Sequence, residues 1–289
     1  MSALQTVLLK HASDAFRSAG HLASEWKALG YAACPDIDAA VKEYERFAEL
    51  LSSTGARIEY LPGDSAGTAD SIYIRDTAVA VNDGVIVGRM GKTARRNEPV
   101  AVERYLGDIG VRIVGRVSGT GTLEGGDVVR LDERTFVVGR GYRTNDEGIR
   151  QFRSLVSGMV EEVIVVDLPH WEGPSEVLHL MSLLSPVDTD LAVTYSKLLP
   201  VSFIERLRDR GVELVEVCDE EFASMACNVL TLAPRSCLMI SGNPRARKML
   251  EAAGAKVTEY NGKEISRKGS GGPTCLTLPL LREYDDDNR

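Results

Sequence analysis

A chain of 289 residues suffices for one large domain or two small ones, and its 44% hydrophobic and 26% charged residues are those of a soluble globular protein. The net charge of -8, from 34 basic and 42 acidic residues, argues against a nucleic-acid binder and leaves a small cationic ligand open. Residues 1–10 lack the basic and apolar regions of a signal peptide, and no apolar run approaches the roughly 20 residues that span a bilayer.

Taken in chain order, Leu4 to Leu9 reads as a strand, and Asp14 to Gly30 as a polar, irregular loop. A helix follows, with Asp36 as its N-cap and Ile37, Val41, Tyr44, Ala48 and Leu51 on one face. Gly55 stops it, and Arg57 to Leu61 alternates as a strand. The same helix–glycine–strand order recurs at Val100–Ile109, Gly110 and Val111–Val114, and at Glu147–Val156, Gly158 and Val160–Val166. It recurs again at Ser202–Arg210, Gly211 and Val212–Val217, and at Pro244–Ala253, Gly254 and Ala255–Tyr260. The glycines are 55, 48, 53 and 43 residues apart, a spacing that signals a repeat architecture.

Between these units lie pairs of short strands that read as hairpins. They are Thr77–Val81 with Val85–Val87, Val128–Leu131 with Thr135–Val138, Leu180–Leu184 with Leu191–Val193, and Val229–Leu232 with Cys237–Ile240; a last run starts at Leu276. A polar residue precedes each: Asp76, Asp127, His179, Asn228 and Cys275, at 21, 17, 21, 17 and 21 residues after the preceding glycine. The repeat predicts an α/β fold of five ββαβ units about a pseudo-fivefold axis, a single domain over 1–289, with the first residues completing the last unit. A doubly wound sheet is the competing architecture. The run Asp285–Asp287 reads as a solvated, frayed end.

Five cysteines without C-x-x-C spacing predict free thiols, no zinc site and a reducing, cytoplasmic setting. Cys275 follows Gly269-Ser270-Gly271-Gly272-Pro273-Thr274, a loop through which a ligand could approach the backbone. A thiol near an imidazole suits covalent catalysis, and His179 occupies the equivalent position two units earlier. In Glu124-Gly125-Gly126-Asp127 a carboxylate could orient that histidine. Asp70 and Asp76 bracket Tyr73 and Arg75 and could accept a guanidinium bidentately; Arg95-Arg96 and Arg143 could hold a carboxylate. Each motif also has a plain structural reading: a core histidine, a glycine turn, solvated charges.

Three segments in order, Leu123–Asp127, Leu178–Leu180 and Gly271–Cys275, resemble the guanidino-group-modifying superfamily, the penteins. Gly88-Arg89 through Arg95-Arg96, Arg143–Asn145 and Ala226–Asn228 resemble its dimethylarginine dimethylaminohydrolases. The resemblance implies a five-bladed propeller in which Cys275 is the nucleophile, His179 the general acid/base and Glu124 its carboxylate partner. It implies that Asp76, Asp70 and Tyr73 meet the guanidinium and that Arg95 and Arg143 hold the substrate α-carboxylate. It implies neither cofactor nor metal. The expected partner is a small guanidino molecule, with neither nucleic acid nor membrane, and a homodimer is allowed. Met181, where deiminases and amidinotransferases carry aspartate, favours the hydrolases; Arg75, where the hydrolases usually carry glutamate, resembles the deiminases. Arginine deiminase, amidinotransferase and a silent arginine-binding protein therefore stay open. His170–Pro174 reads as an insertion near the site.

Overall fold

All five glycine stops adopt a left-handed backbone in the computed structural model, which describes residues 2–63, 67–176 and 178–282. Their φ angles are +89° at Gly55, +77° at Gly110, +82° at Gly158, +76° at Gly211 and +84° at Gly254. A side chain would be strained there, so glycine ends the helix and turns the chain into the next strand. The acidic run Asp285–Asp287 lies outside the described residues.

The first elements are β1 (Leu4–Leu9), α1 (Ala12–Phe16), α2 (Ala19–Leu29), α3 (Ile37–Ser52) and β2 (Arg57–Tyr60). They are followed by β3 (Ala78–Val81), β4 (Gly84–Val87), α4 (Glu98–Asp108) and β5 (Ile113–Arg116). Next are β6 (Val128–Asp132), β7 (Thr135–Arg140), α5 (Asp146–Leu155) and β8 (Glu162–Asp167), then β9 (Leu184–Asp188), β10 (Leu191–Thr194), α6 (Val201–Asp209) and β11 (Glu213–Glu216). The chain ends with α7 (Asp219–Phe222), β12 (Leu230–Ala233), β13 (Ser236–Ile240), α8 (Pro244–Ala252), β14 (Lys256–Tyr260) and β15 (Leu278–Arg282).

These strands form five separate three-stranded sheets rather than one doubly wound sheet. In each, a middle strand pairs antiparallel on one side and parallel on the other, the parallel pair being spanned by helix. β1 is the middle strand of its sheet, antiparallel to β15 with Leu8 opposite Leu278 and parallel to β2 with Thr6 opposite Arg57. The two ends of the chain thus share one sheet and close the ring, which leaves no unit without its partner strands. Apolar side chains fill the wedges between neighbouring sheets; Val137, Leu184, Val193, Leu207 and Met239 share one such cluster and are fully buried. Each buried side chain of this size contributes about 1.5–3 kcal/mol.

Two expectations are corrected. Residues 14–30 are helical, not an irregular loop: the Ser18 side chain accepts the His21 N–H to cap α2, and Gly30 ends it at φ +87°. Within α2 only Leu22 is buried, so its sequence carries almost no apolar stripe. The strand expected from Leu180 starts at Leu184, because Leu180–Ser182 forms a 3-10 turn. Similar turns at Ile74–Thr77 and Gly125–Asp127 bring Asp76 and Asp127 to the mouths of β3 and β6.

The mouths are bonded to one another around the ring. Asp76 Oδ1 accepts the Gly126 N–H at 3.2 Å, and Asp127 Oδ1 accepts the Leu180 N–H at 3.1 Å. Asn228 Oδ1 accepts the Thr274 N–H at 3.0 Å, and the Arg75 N–H donates to the Cys275 carbonyl at 3.2 Å. Between the third and fourth units the bond comes from inside β9, where Ser185 Oγ accepts the Val229 N–H at 3.2 Å. Among the described residues, the side chains of His179 and Cys275 accept no backbone N–H from the next mouth; His179 bonds the Glu124 carboxylate and Cys275 Sγ accepts from Asn228 instead. No helix among the described residues is long and apolar enough to cross a membrane.

Candidate active site

Glu124 and His179 come from adjacent units and meet in the interior. His179 Nε2 lies 2.8 Å from Glu124 Oε2, and both side chains are almost completely buried. Glu124 Oε1 accepts the backbone N–H groups of Gly91 and Lys92 at 2.9 and 3.0 Å, and Arg143 Nη1 donates to Oε2 at 3.3 Å. The other imidazole nitrogen, Nδ1, faces Asp76 Oδ1 at 3.7 Å. Gly126 passes against this ring: a Cβ there would come within 2.5 Å of His179 Nδ1 and 2.7 Å of Asp76 Oδ1. Gly126 is therefore a packing requirement of the histidine, whereas a Cβ at Gly125 would meet the Arg75 carbonyl at 2.2 Å. Burial alone would lower the His179 pKa, but the charges of Asp76 and Asp127 and the bond to Glu124 outweigh it and raise it to about 9. Burial likewise opposes ionisation of Glu124, yet its bond to His179 and the charges of His179 and Arg143 hold it well below the usual carboxylate range.

Cys275 is half-buried at the mouth of the fifth unit, where Asn228 Nδ2 donates to its Sγ at 3.5 Å. Burial and the charge of Asp76 push its thiol up, while the bonds from Thr274 and Asn228 pull it down less strongly. The glycine loop before it has a different role from the one expected. A Cβ at Gly271 would lie 2.2 Å from Cε1 of Tyr73, one at Gly269 would lie 2.1 Å from its hydroxyl, and one at Gly272 would strike Asn228 at 2.4 Å. The missing side chains make room for the Tyr73 ring and for Asn228, not for a guanidinium. Tyr73 is itself buried, with its hydroxyl donating to the Ile265 carbonyl at 3.2 Å, so it shapes the loop from beneath rather than meeting a ligand as expected. Gly271→Ala is expected to destabilise the protein by about 1–3 kcal/mol through overpacking. The added Tyr73→Ala change should recover part of that loss in thermal melts; independent, additive losses would refute the contact.

Asp70 and Asp76 are both buried, and each already carries a cation. Lys92 Nζ lies 2.6 Å from Asp70 Oδ2, and Arg95 Nη1 lies 2.5 Å from Asp76 Oδ2. A carboxylate in such surroundings needs a partner to remain charged. This corrects the reading of Arg95 as a carboxylate binder: it is buried and donates to Asp76, to Glu98 at 2.9 Å and to the Tyr73 carbonyl at 2.8 Å. Arg143 differs, because its single bond to Glu124 leaves Nε and Nη2 uncommitted. Lys92 and Glu98 were missed in the sequence. Glu98, three residues after Arg95, is the pairing that could have been suspected; nothing local links Lys92 to Asp70.

Arg75 and Met181 do not face this site. Arg75 Nε donates to the Thr274 carbonyl at 2.9 Å, and both residues border a cavity on the other side of the mouths. His170 lies against Tyr142, with Nδ1 2.6 Å from its hydroxyl, and the exposed Trp171 meets Phe222 edge-on at 5.9 Å.

Asp76, Glu124 and His179 offer three donor atoms within 4.8 Å of one another, the spacing of a metal site. The donors do not fit one: Arg95 and Arg143 already engage the two carboxylates, and Glu124 holds the imidazole Nε2 at 2.8 Å. The set suits proton transfer instead.

The family described as "N,N dimethylarginine dimethylhydrolase, eukaryotic" matches residues 30–282 of this chain. A dimethylarginine dimethylaminohydrolase of Pseudomonas aeruginosa is 27% identical over 247 residues, covering 84% of this chain and 89% of its own. An arginine deiminase of Listeria monocytogenes is 28% identical over 259 residues, covering 73% of this chain and 61% of its own. Among solved structures, the Pseudomonas aeruginosa dimethylarginine dimethylaminohydrolase, as a cysteine-to-serine variant with citrulline, superposes with a TM-score of 0.76 at 23% identity, covering 96% of this chain and 100% of that one.

Proposed function

The chain belongs to the N,N-dimethylarginine dimethylhydrolase family, hydrolases of C–N bonds in linear amidines, and we propose that its substrate is an Nω-methylated arginine, converted to citrulline and an amine. One observation carries the reading: a buried imidazolium held between Glu124 and Asp76, in a ring of mouths that also presents the thiol of Cys275.

In this reading the Cys275 thiolate attacks the guanidinium carbon, forming the C–S bond. His179 gives its proton to the departing methylamine or dimethylamine as the C–N bond breaks, leaving a thiouronium adduct on sulfur. Water then loses a proton to His179 and adds to the adduct carbon. The adduct hydroxyl gives its proton to solvent as the C–S bond breaks with its electrons returning to sulfur, and the neutral ureido product, citrulline, leaves. Lys92 and Arg95 each take one oxygen, Oδ2, so Oδ1 of Asp70 and of Asp76 is the atom through which each would orient the guanidinium against the sulfur. The uncommitted donors of Arg143 make it the arginine for the α-carboxylate.

The titration order sets the pH dependence. Burial raises the Cys275 thiol, while Asp76, Asp127 and Glu124 raise His179 to about 9, so a protonated thiol and a protonated imidazole are expected in the free protein at neutral pH. A cationic guanidinium against the sulfur lowers the thiol pKa when it binds. Alkylation of Cys275 by iodoacetamide in the free protein is expected to accelerate by about tenfold or more between pH 7 and pH 9. Turnover should fall above pH about 9, as His179 loses the proton that the leaving amine needs. A pH-independent alkylation rate would contradict this order.

The deiminase reading persists because of the Listeria relative, and would use the same groups with ammonia as the leaving amine. Citrulline formation from arginine, monomethylarginine and dimethylarginine separates the two. The methylated substrates should give the higher kcat/KM. Faster turnover of arginine would favour the deiminase, and silence on all three would overturn both.

A further inference from the structure

Behind the mouths lies a cavity of about 250 Å³, bounded by the strands that open each unit, β3, β6, β9, β12 and β15. Val79, Val129, Leu184 and Leu230 contribute apolar walls. Arg75, Gly125, Met181 and Thr274 also line it, and in sequence these residues adjoin or lie two from Asp76, Glu124, His179 and Cys275. The cavity thus backs directly onto the candidate catalytic groups.

The Arg75 guanidinium is charged without a counter-ion. Its Nε donates to the Thr274 carbonyl at 2.9 Å and its Nη2 to Thr277 Oγ1 at 3.4 Å, both neutral acceptors. Among the described residues no carboxylate pairs with it, and Nη1 has no partner. Asp76, next to it in sequence, is committed to Arg95. Arg130 and Arg282 also line the cavity. Burial, and after it the charge of Arg282, lower the Arg75 pKa to about 10. An apolar chamber lined by a guanidinium without a counter-ion is complementary to a carboxylate on an apolar body, because carboxylate oxygens match the guanidinium fork.

We propose that this cavity binds a small carboxylate with an apolar body, paired with Arg75, and that its occupant makes Cys275 less reactive. Two routes connect them. The positive field of Arg75 favours the Cys275 thiolate, as the thiolate in turn favours the Arg75 cation, and a bound anion cancels that field. Arg75 also holds the Thr274 carbonyl, one residue before the sulfur, and its backbone N–H holds the Cys275 carbonyl. The inference is independent of which guanidine the site hydrolyses, since its readout is the thiol itself.

Benzoate and its neutral isostere benzamide test it. Iodoacetamide alkylation of Cys275 at pH 8 should slow by about two- to tenfold as benzoate is titrated to saturation, within the range of one pKa unit. Benzamide should have no such effect, and in Arg75→Gln the benzoate effect should vanish. Equal slowing by benzamide, no slowing by benzoate, or an undiminished benzoate effect in Arg75→Gln overturns the proposal. Crystals of the unaltered protein soaked in 4-bromobenzoate give a reading that needs no variant. Anomalous bromine density is expected in the cavity beside Arg75; density only on the Cys275 side of the mouths, or none, overturns it.

Discussion

Cys275→Ser is expected to lose citrulline formation by about a thousandfold or more while remaining folded. A hydroxyl replaces the thiol with little change in volume and can still accept the Asn228 bond. The loop geometry rests on Gly271, Tyr73 and the Thr274 N–H rather than on sulfur, so the thermal midpoint should shift by no more than about 2 °C. Serine fails because its hydroxyl does not ionise in the range where His179 keeps its proton. Turnover within tenfold of the parent would remove Cys275 as the nucleophile. A collapsed melt would instead show that the thiol supports the fold.

Glu124→Gln carries the second large effect and separates charge from shape. The amide can still occupy the space that receives the Gly91 and Lys92 N–H groups, but it removes the negative charge between His179 and Arg143. Breaking a buried ion pair in this way costs about 3–5 kcal/mol. Without that charge the His179 pKa falls, so the high-pH limb of turnover should move down from about 9, with kcat reduced by about a hundredfold or more. An unchanged pH limb would show that Glu124 does not hold the proton on His179. The two groups also fix opposite edges of the stability profile. His179, whose pKa is raised on folding, stabilises fully below its unfolded value, and that contribution is lost as pH rises through about 9. Glu124, whose pKa is lowered, stabilises above its unfolded value, and that contribution is lost as pH falls through its depressed folded value. Chemical denaturation should therefore find these contributions together between roughly pH 5 and pH 7, with losses in acid and in alkali.

The ring was legible because its signal is local and repeated. A helix that must end in a left-handed residue before a strand announces itself with glycine, and Gly55, Gly110, Gly158, Gly211 and Gly254 did so five times. The offset to Asp76, Asp127, His179, Asn228 and Cys275, alternating between 21 and 17 residues, then marked the mouths. α1 and α2 were hidden for the opposite reason: α2 buries one leucine and carries its information in its caps, Ser18 and Gly30. What the site does with its charges was also hidden, since whether Arg95 is free or spent depends on Asp76, Glu98 and the Tyr73 carbonyl converging on it. The glycine loop and Tyr73 are nearly two hundred residues apart, and their fit is a matter of shape. That Arg75 faces away from the site was hidden as well, because neighbours in sequence face opposite sides of a mouth: Asp76 turns to His179, Arg75 to the cavity.

The bonds between the mouths carry a consequence for how such a molecule can arise from duplicated units. Three polar side chains, those of Asp76, Asp127 and Asn228, act as clasps that fasten one unit to the next. An ancestor with the same clasp in all five places would be mechanically complete and chemically mute, every polar group already spoken for. Reactivity requires that symmetry be broken: at His179 the fastening moves to Ser185 inside β9, and at Cys275 to the main chain. The imidazole and the thiol, no longer used as clasps to the backbone, bond the Glu124 and Asn228 side chains instead. In this ring a side chain at a mouth is spared from fastening only where another atom, Ser185 Oγ or the main chain, takes over its clasp.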